Sequence, residues 1–149
     1  MILRQSVDIA APPSRIYRFF EDMADNYTDW HPDHLLFRWV DGAGLTVGGR
    51  FYFEERIAGK LMKKTVRLTR LELDRHIEFV PDWWLMRLFL PRILFRIEPV
   101  GEGCRVTQEL HVRTGPVGAW LNRREFNAVR QHMREEGENL KRLTEARID

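Results

Sequence analysis

Residues 126–143 read FNAVRQHMREEGENLKRL, and the spacing of their large side chains decides the fold. Phe126, Val129, Met133, Glu136, Leu140 and Leu143 follow one another at steps of 3, 4, 3, 4 and 3. That alternation keeps all six on one face of a helix. The pattern predicts one long helix from about Val117 to Arg147, with a core-facing stripe. Glu136 stands in the middle of that stripe, where a leucine is expected. A carboxylate there is costly unless something pairs with it, protonates it or coordinates it. Gly137 beside it weakens the helix by about 1 kcal/mol relative to alanine and points to a close approach by another element.

A run of predicted strands precedes this helix. Phe51, Phe53, Glu55 and Ile57 alternate, so Glu55 shares a face with three apolar residues. Ala58-Gly59-Lys60 reads as a short hairpin connection, and Met62–Leu71, His76–Val80, Ile93–Ile97 and Arg105–Val112 follow as strands. Gly101-Glu102-Gly103 joins the last two. Nearer the N-terminus, Leu3–Ile9 alternates like a strand, and Ala11-Pro12-Pro13-Ser14 breaks it. Ser14 is a candidate helix cap, followed by the stripe Ile16, Phe19, Phe20 and Met23. A polar segment, Asp25 to Asp29, leads into Trp30-His31-Pro32-Asp33-His34, and Leu35–Val40 reads as a further strand. The order predicts an α+β fold in which a curved antiparallel sheet wraps around the C-terminal helix. One domain spanning 1–149 is expected, with a cavity where sheet and helix part.

Composition narrows the function classes. The net charge is +2 and the charges are interleaved, which speaks against a nucleic-acid partner. No apolar run reaches membrane-spanning length and no signal-peptide pattern opens the chain, so a cytoplasmic protein without an integral membrane segment is expected. The single cysteine, Cys104, excludes an intramolecular disulfide and reads as a small packed residue. No phosphate loop, Ser-His-Asp motif or dinucleotide fingerprint is present.

What remains is a set of polar residues aimed at an apolar interior. Glu55 and Glu136 are the candidate catalytic acids. Lys64, between Met62 and Val66, and Gln108, between Val106 and Leu110, share the inward parity and suit a ligand oxygen. A bland alternative pairs Lys64 with Glu55 across neighbouring strands. Phe53, Val66, Phe95, Val106, Val129 and Met133 are the expected apolar walls. Pro81–Pro91 is too long for a tight turn and very apolar; Trp83 and Trp84 within it are read as a lid over the cavity mouth. Its competitor is a short helix at a homodimer interface. His31 and His34, three apart, are candidate metal ligands beside the two acids.

Val7-Asp8-Ile9-Ala10-Ala11-Pro12-Pro13 opening a helix, Trp30-His31-Pro32 after it, and the strand meander before one long helix together resemble the START-like helix-grip superfamily. That group includes polyketide cyclases and aromatases, lipid-transfer domains and pollen allergens. The resemblance spans the chain and implies a small hydrophobic or aromatic ligand, polyketide-, phenol- or lipid-like. Three functions are compatible with it: a carrier, a cofactor-free cyclase or dehydratase using Glu as acid or base, and a metal-dependent hydrolase. The last looks like the phloretin hydrolase and diacetylphloroglucinol hydrolase branch, which uses zinc held by two His and two Glu. That likeness implies His34 or His31, Glu55 and Glu136 as ligands. It places the second histidine on a late strand, where His111 is the candidate, although the parity of Val106, Leu110 and Val112 turns His111 outward.

Overall fold

The structure is a computed structural model and describes residues 1–146. Strand β1 (Ile2–Ile9) is followed by helices α1 (Pro13–Glu21) and α2 (Met23–Trp30). Strands β2 (His34–Val40), β3 (Arg50–Ile57), β4 (Lys60–Glu72) and β5 (His76–Pro81) come next. Helix α3 (Trp84–Phe89), strands β6 (Arg92–Val100) and β7 (Gly103–His111), and helices α4 (Pro116–Leu121) and α5 (Arg123–Glu145) complete the order. The seven strands form one sheet in the order β1-β7-β6-β5-β4-β3-β2. Every neighbouring pair is antiparallel. This is the α+β helix-grip architecture, a curved sheet closed on a long C-terminal helix.

Three local readings are corrected. The expected single helix 117–147 divides at Asn122 into α4 and α5; its expected end at Arg147 lies outside the described residues. The polar segment Asp25 to Asp29, to which the sequence pattern assigns no element, is part of α2, which buries Met23, Asn26, Tyr27 and Trp30 at helical spacing. Helix α1 begins ahead of Ser14, with Pro12 at the cap and no side-chain capping bond.

Turn chemistry sets the register that places the site. At the β3–β4 hairpin Ile57 pairs with Lys60, leaving Ala58 and Gly59 at φ of 53° and 76°. Two positive-φ residues make the tight turn that matches strand twist. The β3–β4 ladder then runs unbroken from Ile57 to Arg50. Glu55 therefore keeps the face predicted from alternation. The irregularity falls instead between His34 and Leu36 on β2, where Leu35 is the extra residue. A bulge reverses side-chain parity. Phe37 opposes Phe53, and the bulge brings His34 opposite Glu55.

Helix α5 buries His132, Met133, Glu136, Leu140 and Thr144. It is anchored to α2 by Trp30, whose indole N–H donates to the Glu136 carbonyl at 2.9 Å, and by Asn139, whose amide donates to the Trp30 carbonyl at 2.9 Å. The close approach expected at Gly137 comes from β1: a Cβ there would lie 3.6 and 3.7 Å from Val7 carbons. Those are ordinary contacts. Gly137→Ala is therefore expected to stabilise the protein by roughly 0.5–1 kcal/mol. A higher urea midpoint at unchanged m is the measurement; a lower midpoint would show that β1 cannot accept the methyl group. Cys104 is buried opposite Ile9, and burial pushes its thiol up, in keeping with a packing role.

Candidate functional site

Between sheet and α5 lies a cavity of about 430 Å³. Its wall is mostly aromatic and aliphatic: Phe53, Val66, Phe95, Val129 and Met133 line it as expected, joined by Trp39 and Phe79. Val106, also expected there, lines a smaller recess of about 180 Å³ between α5 and β1 that shares Phe95, Gln108, Met133 and Glu136 with the main cavity. The polar residues on the main wall include Glu55, Lys64, Gln108, His132 and Glu136.

Four of the site's side chains converge. One ligating atom each from His34, Glu55, His132 and Glu136 lie within 4.8 Å of one another. His34 Nε2 is 2.9 Å from Glu136 Oε2 and 3.7 Å from Glu55 Oε2. His132 Nε2 is 3.4 Å from Glu55 Oε2, 3.6 Å from Glu136 Oε2 and 3.2 Å from His34 Nε2. The bulge delivers His34, strand alternation delivers Glu55, and a spacing of four on α5 delivers His132 and Glu136 to one helix face.

Electrostatics tie the four together. His34 Nδ1 lies 2.9 Å from the Tyr27 carbonyl, which can only accept, so Nδ1 carries a proton and Nε2 faces the cluster. Tyr27 also stacks on the His34 ring at 4.0 Å between centroids and 6° between planes. Neutral His34 would then set a lone pair against Glu136 Oε2 at 2.9 Å, which is repulsive without a proton or cation between them. Burial opposes charge on His132, but hydrogen bonds and charges of Glu136 and Glu55 outweigh it and bring its pKa to about 10. Burial likewise opposes ionisation of Glu136, yet His132 and His34 hold its carboxyl well below the usual range. The site thus demands positive charge at its centre. Two imidazoles and two carboxylates also form a donor set that zinc accepts.

A second layer orients the first. Gln108 donates to Glu136 Oε1 at 3.3 Å, and the Tyr27 hydroxyl donates to Glu55 Oε2 at 3.5 Å. Burial, with the Glu55 and Glu136 charges, keeps the Tyr27 phenol protonated. His31 belongs to this layer. Its Nδ1 accepts the Asp33 backbone N–H at 2.9 Å, so its Nε2 carries the proton and donates to Glu135 at 3.1 Å. Neutral His31 therefore has no free lone pair, and the structure does not bring it into the four-residue cluster. It packs instead against His132, with ring centroids 4.2 Å apart.

Other expected residues divide. Lys64 lines the cavity but pairs in register with Phe53, while Glu55 pairs with Met62. No ion pair within 4 Å joins Lys64 to Glu55 among the described residues, so the cross-strand pairing reading is not met. Burial pulls the Lys64 ammonium below its ordinary pKa, with the Glu55 charge opposing. Trp83 and Trp84 do not line the cavity; they are 60% and 61% exposed at the start of α3. His111 faces away from the cavity, as parity indicated, and bonds to Glu109 at 2.9 Å. The second histidine comes not from a late strand but from α5, as His132. The available signal was His132 four residues before Glu136.

The sequence profile of the family described as polyketide cyclase/dehydrase and lipid transport matches residues 2–145, and the chain belongs to that family. No curated protein matches it. Among solved structures, TTHA0849 of Thermus thermophilus is 19% identical over 97% of each chain, with a TM-score of 0.75. The polyketide-cyclase-like protein Cgl2372 of Corynebacterium glutamicum is 17% identical over 97% of this chain and 91% of its own, with a TM-score of 0.61. The major latex-like protein 151 of Panax ginseng is 13% identical over 89% of this chain and 96% of its own, with a TM-score of 0.63. These three share the fold. Family membership and the apolar cavity together identify a protein that binds small hydrophobic ligands. No described helix is long and apolar enough to cross a membrane.

Proposed function

We propose that this single domain is a metal-dependent hydrolase of small acylated phenols, with His34, Glu55, His132 and Glu136 holding zinc at the wall of the cavity. The observation that carries this reading is the convergence of those four donor atoms within 4.8 Å, with Glu55, His132 and Glu136 on a mostly apolar cavity wall. Held by these four residues, zinc would supply polarisation of the ligand's carbonyl and acidification of a bound water. Aromatic walls hold the ring of the ligand and exclude bulk solvent. The Tyr27 hydroxyl, kept protonated and donating to Glu55, would hold that carboxylate in position, and Lys64 would hold an acidic phenol or enol oxygen further along the wall. In the net reaction the bond between ring and acyl carbon breaks. The ring carbon gains a proton and the acyl carbon gains the hydroxyl of water.

The test is acetylphloroglucinol incubated with zinc-loaded protein, with chelated protein and with Glu136→Gln. Acetate and phloroglucinol should appear with the first alone. If acetylphloroglucinol displaces a neutral fluorescent probe, N-phenyl-1-naphthylamine, yet no acetate forms in any sample, the hydrolase reading fails and the carrier reading stands. A cofactor-free cyclase or dehydratase using Glu55 and Glu136 would instead act equally well in chelator.

A further inference from the structure

Helices α3 and α4 present large apolar side chains to solvent. Trp83, Trp84, Leu88 and Phe89 are exposed at and along α3; Val117, Trp120 and Leu121 are exposed on α4, at 71%, 63% and 64%. The three on α4 are spaced i, i+3, i+4 and so share one face. The segment leading into α4 is tied to the end of α3, because the Arg113 backbone N–H donates to the Phe89 carbonyl at 2.8 Å. β6 and β7, which leave and enter these helices, are also paired at Arg92 and His111. Seven exposed apolar residues are thus gathered at one end of the sheet. Scattered exposed leucines need no explanation, but a patch of this kind marks an interaction site.

Charge indicates what it meets. Residues 83–91 and 112–124 contain Arg87, Arg113, Arg123 and Arg124 and no aspartate or glutamate. All four arginines are exposed, and none joins an ion pair among the described residues. Arg123 lies over the Trp120 ring at 4.5 Å, so cation and indole project as a unit. Of the acids flanking these segments, Asp82 is bound by Arg67 and Arg50, and Glu125, itself exposed, edges the cavity and pairs with none of the four arginines among the described residues. An apolar surface rich in tryptophan and ringed by uncompensated arginines has the chemistry of an interfacial anchor. Indoles sit at headgroup level and arginines attract anionic lipid. A symmetric homodimer through the same face would set arginines against arginines.

We propose that α3 and α4 together form a docking surface for an anionic lipid bilayer. The surface stands apart from the metal chemistry and does not depend on it. It would bring an apolar ligand's source phase to the same end of the molecule as α5's first two turns, where Glu125 and Val129 edge the cavity.

The experiment is co-sedimentation of the full chain with vesicles of phosphatidylcholine containing phosphatidylglycerol. Vesicles of phosphatidylcholine alone and a series of salt concentrations serve as controls. Binding should require phosphatidylglycerol and weaken with salt. Arg123→Glu with Arg124→Glu should reduce partition by roughly thirtyfold or more. Trp84→Ser with Trp120→Ser should weaken vesicle partition and diminish the blue shift of tryptophan emission on vesicle addition, to which Trp83 still contributes. All four positions are exposed, so circular dichroism should be unchanged. Equal binding by wild type and both double variants would overturn the proposal. So would absence of vesicle binding together with a wild-type dimer, by light scattering, that either variant disperses. That result would assign the surface to a homodimer.

Discussion

His132→Ala is expected to lower zinc affinity by more than about 100-fold, beyond the 10–100-fold that loss of an outer-shell partner brings. His31→Ala should stay within that smaller range. The two histidines are both buried and their rings are in contact, so the comparison isolates role from location. His132 turns its Nε2 to Glu55 and Glu136, whereas both His31 nitrogens are engaged by Asp33 and Glu135. Competition against a chromogenic zinc chelator gives the affinities. A second readout is thermal: zinc should raise the midpoint of wild type by mass action and leave that of His132→Ala unmoved. Because alanine removes a buried partner of Glu136, His132→Gln provides a variant that keeps a hydrogen-bonding group. If His31→Ala loses zinc while His132→Gln retains it, the donor set is wrong. If wild type takes up no zinc, the proposed hydrolase has no metal centre.

The contrast between His31 and His132 shows where sequence reading reaches its limit. The stripe on α5 was legible because its apolar members repeat at helical period, and Glu136 stood out as an exception within it. His132 was not legible by the same route. It flanks the apolar stripe, so following hydrophobic residues passes over it, and only its step of four to Glu136 marks it. Glu55 was legible because β3 pairs without interruption, so alternation survives. The position of His34 depends on a bulge at Leu35, which changes parity by one residue and leaves no compositional trace. The exclusion of His31 depends on one backbone N–H, that of Asp33. Helix α2 was hidden by its polar residues, since Asn26 is buried with its amide donating to the Phe19 carbonyl. The apolar run at Pro81–Pro91 was visible as anomalous, but sequence could not say that its tryptophans turn outward.

Lys64→Met is expected to make the protein more stable and a poorer binder of anions at once. In the protein alone the ammonium lies at the cavity wall with no carboxylate within 4 Å among the described residues, and burial lowers its pKa. Removing a half-buried charge that lacks a close partner, at similar side-chain volume, should stabilise by roughly 1 kcal/mol. Sign and pH support one another. Lys64 binds its proton less tightly folded than unfolded, so the penalty should shrink as pH rises toward the ordinary lysine value. Wild type should therefore approach Lys64→Met in stability at high pH. The function of this costly residue is read with two probes that share an anilinonaphthalene body and differ by a sulfonate. Anilinonaphthalene sulfonate should bind Lys64→Met about 10–100-fold more weakly, the worth of a charged hydrogen bond in a dry site. N-phenyl-1-naphthylamine, which is neutral, should bind both proteins alike. Loss of both probes would mean that the cavity has collapsed, and a near-ultraviolet dichroism spectrum would reveal it. A destabilised variant with unchanged sulfonate binding would make Lys64 a packing residue and remove the acidic oxygen from the expected ligand.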